Sequence, residues 1–66
     1  MKLTEMLNKY QMRLLECQDT FDLDAKELSD DSISAERRKW LNDDIQALNI
    51  QIGAYECIVK DLKEII

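Results

Sequence analysis

The sequence contains no proline, no histidine and a single glycine, Gly53. Proline and glycine are the residues that disfavour helix interiors most strongly, so their scarcity favours long uninterrupted helices. The lack of histidine, and the long separation between Cys17 and Cys57, leave no pair of soft ligands at the spacing of a zinc site. The composition therefore predicts an all-α protein with no metal and no cofactor.

Residues for catalysis are equally scarce. There is no histidine to act as a base, no glycine-rich loop to hold a phosphate, and no nucleophile placed beside a base. The two tyrosines, Tyr10 and Tyr55, fall at positions that the apolar pattern assigns to the core. We therefore expect a protein that is not an enzyme.

Long apolar runs are also lacking, since the longest is the three residues Cys57-Ile58-Val59. A membrane-spanning helix needs about 20 apolar residues and a signal peptide needs at least about 7. The formal net charge is −5, whereas binding to nucleic acid or to an anionic membrane depends on clustered lysine and arginine. These features predict a cytoplasmic location and argue against a membrane or a nucleic acid as the partner.

Two segments have apolar residues at alternating steps of four and three, which is the heptad pattern of packed helices. The first seam is Leu3, Leu7, Tyr10, Leu14, Cys17, Phe21, Asp24 and Leu28, and the second is Leu41, Ile45, Leu48, Ile52, Tyr55, Val59, Leu62 and Ile66. The residues between them are mostly serine and aspartate, which favour turns. The predicted fold is one domain over 1–66, an antiparallel two-helix coiled-coil hairpin with helices at about 3–28 and 34–65 and a turn at about 29–33. Ser32 or Ser34 is the expected N-cap of the second helix.

A turn centred on Asp31 predicts the register of the hairpin. This register places Asp24, the one polar residue of the first seam, opposite Arg38. It also places Cys57 about twelve residues from the level of Cys17, or about 18 Å along a helix, which is too far for a disulfide. Two free thiols are typical of a protein in a reducing compartment.

A chain of this size usually needs a disulfide, a metal or an association to be stable. Association is the option that the sequence leaves, and the second helix has a further apolar stripe on the side away from the seam. Ile58 and Ile65 widen this surface, and Leu62 is expected to extend beyond the end of the first helix. The predicted partner-binding residues are Trp40, Ala47, Ile50, Ala54, Cys57, Ile58, Leu62 and Ile65. A helix that is apolar on two faces is normally buried on two sides. We therefore expect a protein–protein interaction module whose bundle is completed by a partner or by dimerisation.

The second helix resembles the YscE-type co-chaperones of type III secretion needle subunits. The likeness lies in the pair Ala47-Leu48 followed by spaced isoleucines, and in Asp61-Leu62-Lys63 near the end. Members of that family are short helical hairpins that pack against a helical-repeat chaperone and keep the needle subunit from polymerising. The resemblance implies a role in protein transport, with a helical chaperone or a secretion subunit as the partner.

Two alternatives fit the same outline. One is a homodimeric four-helix bundle with a structural or regulatory role. The other is an RNA-binding hairpin similar to the dimeric regulators of plasmid copy number, which use basic residues on the first helix. Only Lys2, Lys9 and Arg13 are available on that face here. The acidic stretch before the turn and the basic run Arg37-Arg38-Lys39 are best explained by solvation and local pairing.

Overall fold

The computed structural model describes residues 2–66 and consists of two helices joined by a short connection. Helix α1 spans Leu3–Leu28 and contains 26 residues, and helix α2 spans Ala35–Ile65 and contains 31 residues. The two helices pack against each other in a rod of 47 × 16 × 14 Å. The predicted all-α hairpin is confirmed, and α2 begins one residue later than the heptad pattern indicated.

Serine and aspartate side chains form the connection between the helices. Oδ1 of Asp30 accepts hydrogen bonds from the backbone N–H of Ser32 at 2.9 Å and from its hydroxyl at 2.7 Å. Ser34 is the N-cap of α2, and its hydroxyl oxygen accepts from the backbone N–H of Arg37 at 3.1 Å. The bond to Ser34 satisfies a backbone donor that has no partner within the helix, so it fixes where α2 starts.

The register differs from the expected one by about one layer. The ring of Tyr10 lies 6.0 Å from the ring of Tyr55, a position that the expected register gave to Leu7. The predicted pairing of Asp24 with Arg38 is wrong, because Arg38 instead donates to the backbone carbonyl oxygens of Leu28 and Asp30 at 3.3 and 3.4 Å. A cation at the C-terminal end of α1 is favoured by the unpaired carbonyl groups there. In the observed alignment, Arg38 therefore contacts the end of α1 and does not form a charge pair in the seam.

The core of the hairpin is small. The buried apolar residues are Leu41, Leu48, Val59 and Leu62, all on α2. The apolar seam residues of α1 are half-buried, apart from Leu3, which is exposed. With only 6% of its surface exposed, Leu62 belongs to the core, so its predicted position beyond the end of α1 is wrong. The shift in register explains this difference, because it moves the C-terminal end of α2 back alongside α1.

Within residues 2–66, neither helix carries an apolar stretch long enough to cross a bilayer.

Candidate functional site: the outer face of α2

The apolar residues on the side of α2 away from α1 are strongly exposed. Ile50, near the middle of the helix, is 75% exposed, and Trp40 and Ile65 are 51% and 65% exposed. Ala47, Ala54 and Cys57 are exposed as well, and Ile58 is half-buried. Seven of the eight predicted partner-binding residues are therefore accessible on the single hairpin, and Leu62 is the exception.

Trp40 is held in place by a charged cluster at the turn end of the hairpin. The guanidinium of Arg37 lies over its ring, 4.5 Å from the centroid. The same guanidinium makes two bonds to Glu27, with Nε to Oε2 at 2.6 Å and Nη2 to Oε1 at 3.0 Å. The bond from Arg37 lowers the pKa of the Glu27 carboxyl below its usual value. One face of the indole is thus covered by a cation, while about half of the residue's surface remains exposed.

Gly53 creates an open position one turn from Ile50. A Cβ atom built on Gly53 would meet no heavy atom within 4 Å outside its own helical turn. Its backbone dihedral angles are helical and require no special conformation. Glycine within a helix reduces stability by about 0.5–1 kcal/mol relative to alanine. The packing of the single hairpin does not require a glycine at this position.

The other unusual feature is a buried carboxyl in the seam. Asp24 is 8% exposed, and its Oδ2 atom has no hydrogen-bond partner among residues 2–66. A hydrogen bond to Asp44 on α2, burial, and the negative charge of Asp44 together raise the pKa of Asp24 to about 6, while the charge of Arg37 opposes the shift. Protonated Asp24 can share its proton with Asp44, whereas the ionised form leaves two carboxylates close together in a poorly solvated position.

Sequence reasoning identified Asp24 as the polar exception in the seam but missed its partner. Asp44 lies beside the seam rather than in it, and opposite charges across a seam are the usual expectation. Asp44 comes near Asp24 only in the observed register of the two helices, and the register predicted from the sequence was different.

Both cysteines are free, in agreement with the sequence prediction. Cys57 is exposed on the outer face of α2. Cys17 is half-buried in the seam, and its sulfur atom lies 3.7 Å from Oε1 of Gln51. In the described part of the chain, no three side chains of histidine, cysteine, aspartate or glutamate come together in a way that could hold a metal ion.

These observations define a class of structure, a two-helix hairpin with a thin core and an exposed apolar face on its longer helix. Comparison of the chain with protein-family models, with curated proteins and with solved structures gives no match. The resemblance to co-chaperones of needle subunits therefore stays a prediction from the sequence.

Proposed function

We propose that this hairpin is a protein–protein interaction module that binds through the outer face of α2. The observation that carries the proposal is the exposure of Ile50, which is 75% accessible near the centre of a long helix. An isolated exposed apolar residue is ordinary on a protein surface. Here it lies among exposed Ala47, Ala54 and Cys57, so the apolar surface is continuous along one side of the helix.

The thin core supports the same conclusion. Among residues 2–66, four apolar side chains are buried, which leaves the hairpin with little apolar burial to offset the conformational entropy lost on folding. Burial of apolar surface contributes about 25 cal/mol per Å². A partner that covers the outer face of α2 adds apolar burial of this kind, so binding stabilises the fold as well as forming a complex.

Site-specific photo-crosslinking in cells that express the protein tests this function. A photoreactive phenylalanine analogue at Ile50 is compared with the same analogue at Met12, which is 59% exposed on α1. The expected result is a discrete crosslinked product from Ile50 and none from Met12. Equal products from both positions, or none from Ile50, would contradict the proposal.

Two substitutions test whether the face itself binds. Ile50→Asp adds a charge to the centre of the surface, and Ala54→Arg adds bulk beside it. Both positions are exposed, so helicity measured by circular dichroism is expected to survive while the crosslinked product is lost. Met12→Asp is the matched control and is expected to leave the product unchanged. Retention of the product in both α2 variants would rule out this face as the binding site.

A further inference from the structure

The outer face of α2 is complementary to itself. One row of positions on the side of α2 away from the seam has steps of three and four residues, so at 100° per residue its members remain on one side of the helix. All of them are exposed, and they are Lys39, Asp43, Gln46, Ile50, Gly53, Cys57, Lys60 and Glu64. This set, called the outer stripe below, begins with a cation followed by an anion and ends with a cation followed by an anion.

That order of charges is matched when two copies of α2 lie antiparallel. A two-fold axis between Gln51 and Ile52 then places four kinds of pair opposite one another. They are Lys39 with Glu64, Asp43 with Lys60, Gln46 with Cys57, and Ile50 with Gly53. Each pair occurs twice because a two-fold interface uses the same patch on both copies.

We propose that the partner of the outer stripe is a second copy of this chain, bound antiparallel in this register. The inference rests on the proposed function and names its partner. The resulting assembly is a layer of four helices in which the two α2 helices form the middle and each α1 helix covers its own α2 on the outside.

The centre of the interface is formed by Ile50 and Gly53. Ile50 projects from one copy with most of its surface exposed, and Gly53 of the other copy has open space where a side chain would stand. A side chain that enters the space left by a small residue is the packing used between closely approaching helices. The glycine that the single hairpin does not require therefore gains a role in the pair.

The charges also select this register over its neighbours. A slip of one layer in one direction places Lys39 opposite Lys60, and a slip in the other direction places Asp43 opposite Glu64. Like charges at facing positions are unfavourable, so both slips are disfavoured. The proposed alignment places no like charges opposite each other along the outer stripe.

Apolar residues beside the outer stripe also come near one another in the antiparallel pair. Within about one helical turn, Trp40 of one copy lies beside Ile65 of the other, and Ala47 lies beside Ile58. Trp40 and Ile65 are both strongly exposed in the single hairpin. The antiparallel pair thus brings the two large apolar groups from opposite ends of α2 to the same side of the interface.

Disulfide crosslinking tests the register directly. The test variant is Gln46→Cys combined with Cys17→Ser, and the control is Cys17→Ser alone. Packed helix axes lie about 8–10 Å apart and each Cα lies about 2.3 Å from its axis, so facing Cα atoms are about 3.4–5.4 Å apart, a range that overlaps the Cα separation of a disulfide. Within one chain, positions 46 and 57 are about 16 Å apart along α2 and cannot join.

Mild oxidation with oxidised glutathione is expected to convert the test variant into a covalent dimer on non-reducing gels. The control is expected to stay monomeric on these gels, because the two Cys57 residues are also about 16 Å apart in the antiparallel pair. A covalent dimer of the control would indicate a parallel pair and overturn the proposal. Absence of a dimer in the test variant would overturn it as well.

A charge exchange provides a second test without cysteine chemistry. Lys39→Glu and Glu64→Lys each place like charges opposite in both symmetry-related pairs, and the double variant restores opposite charges. Each single variant is expected to weaken the dimer by about tenfold in sedimentation equilibrium, and the double variant to return to within about threefold of the original. Failure of the double variant to recover would contradict the register.

The proposed function and this inference fail in different ways. A chain that stays monomeric over a hundredfold concentration range, while Ile50 still crosslinks to a protein of another mass, overturns self-association and leaves the function in place. Loss of both self-association and the crosslinked product from Ile50 overturns both. A crosslinked product of twice the chain mass supports both.

Discussion

Asp24 occupies a heptad position that apolar residues fill along most of the two seams. An ionised carboxylate there is poorly solvated, lies beside Asp44 and leaves Oδ2 without a hydrogen-bond partner among the described residues. Burial of a charge without full compensation costs free energy. The ionised Asp24 side chain therefore lowers the stability of the hairpin at neutral pH. It also makes one layer of an otherwise apolar contact polar.

Replacement of Asp24 by leucine completes the apolar seam. We expect Asp24→Leu to increase the free energy of unfolding at pH 7 by about 1–3 kcal/mol, because it removes a buried charge and adds apolar burial. Urea unfolding followed by circular dichroism measures this change. Asp22→Leu, at an exposed position of the same helix, is the control and should change stability little. A loss of stability in Asp24→Leu would show that the carboxyl makes a favourable contact in the native hairpin.

The pH dependence of stability follows from the direction of each pKa shift. The pKa of Asp24 is raised to about 6 in the folded chain, so its favourable contribution is present below its unfolded pKa and is lost as the pH rises through about 6. Glu27 and Asp30 have lowered pKa values, so their contributions are present at higher pH and are lost in acid.

The native chain is accordingly expected to lose stability as the pH rises from about 4.5 to about 6.5, over the range in which Asp24 ionises. The Asp24→Asn variant isolates this residue from the general decrease in net charge near the isoelectric point. Thermal unfolding at a series of pH values should give a clearly smaller slope for the variant over that range. Equal slopes would assign the effect to the net charge of the chain instead.

The residue-scale features show what sequence reasoning can and cannot reach. The positions of Trp40, Ile50 and Cys57 away from the seam were predictable because helical periodicity alone places them there. The contact of Asp24 with Asp44 was not, because it depends on the alignment of two helices. A charge-complementarity rule pointed to Arg38, whose guanidinium instead reaches the carbonyl groups at the end of α1.

At the scale of the helices, the start of α2 depends on the Ser34 cap. We expect Ser34→Ala to reduce the free energy of unfolding by about 1 kcal/mol, because it leaves the backbone N–H of Arg37 without its bond to the hydroxyl. Ser32→Ala removes a hydroxyl from the same connection without touching the cap and should cost less. The two variants are compared by urea unfolding. A larger effect of Ser32→Ala would place the essential bond in the turn instead of the cap.

The helix limits were predictable within one residue because their signals are local. The two seams stop where serine and aspartate begin, and those residues favour turns and caps through bonds to the nearby backbone. The register was not predictable in this way, because two heptad seams can pack in several alignments one layer apart. The difference of about one layer is associated with Arg37 and Arg38, which bond Glu27 and the carbonyl groups at the end of α1.

At the scale of the whole molecule, the thin core predicts that stability depends on association. Since the proposed dimer buries the outer face of α2 only when two chains meet, we expect the midpoint of thermal unfolding to rise with protein concentration. Scanning calorimetry over a hundredfold concentration range measures the shift. The Ile50→Asp variant should unfold at a lower midpoint that does not depend on concentration. A constant midpoint in the original chain would argue against a stabilising self-association.

The small number of buried side chains also bears on how long the chain survives. Because four apolar side chains are buried among residues 2–66, we expect the hairpin to open often, and each opening exposes peptide bonds to proteases. A partner that covers α2 reduces the open population by mass action. Because the proposed partner is a second copy of the chain, we expect the half-life of the protein to increase with its own concentration, since dilute copies are monomeric and open more often.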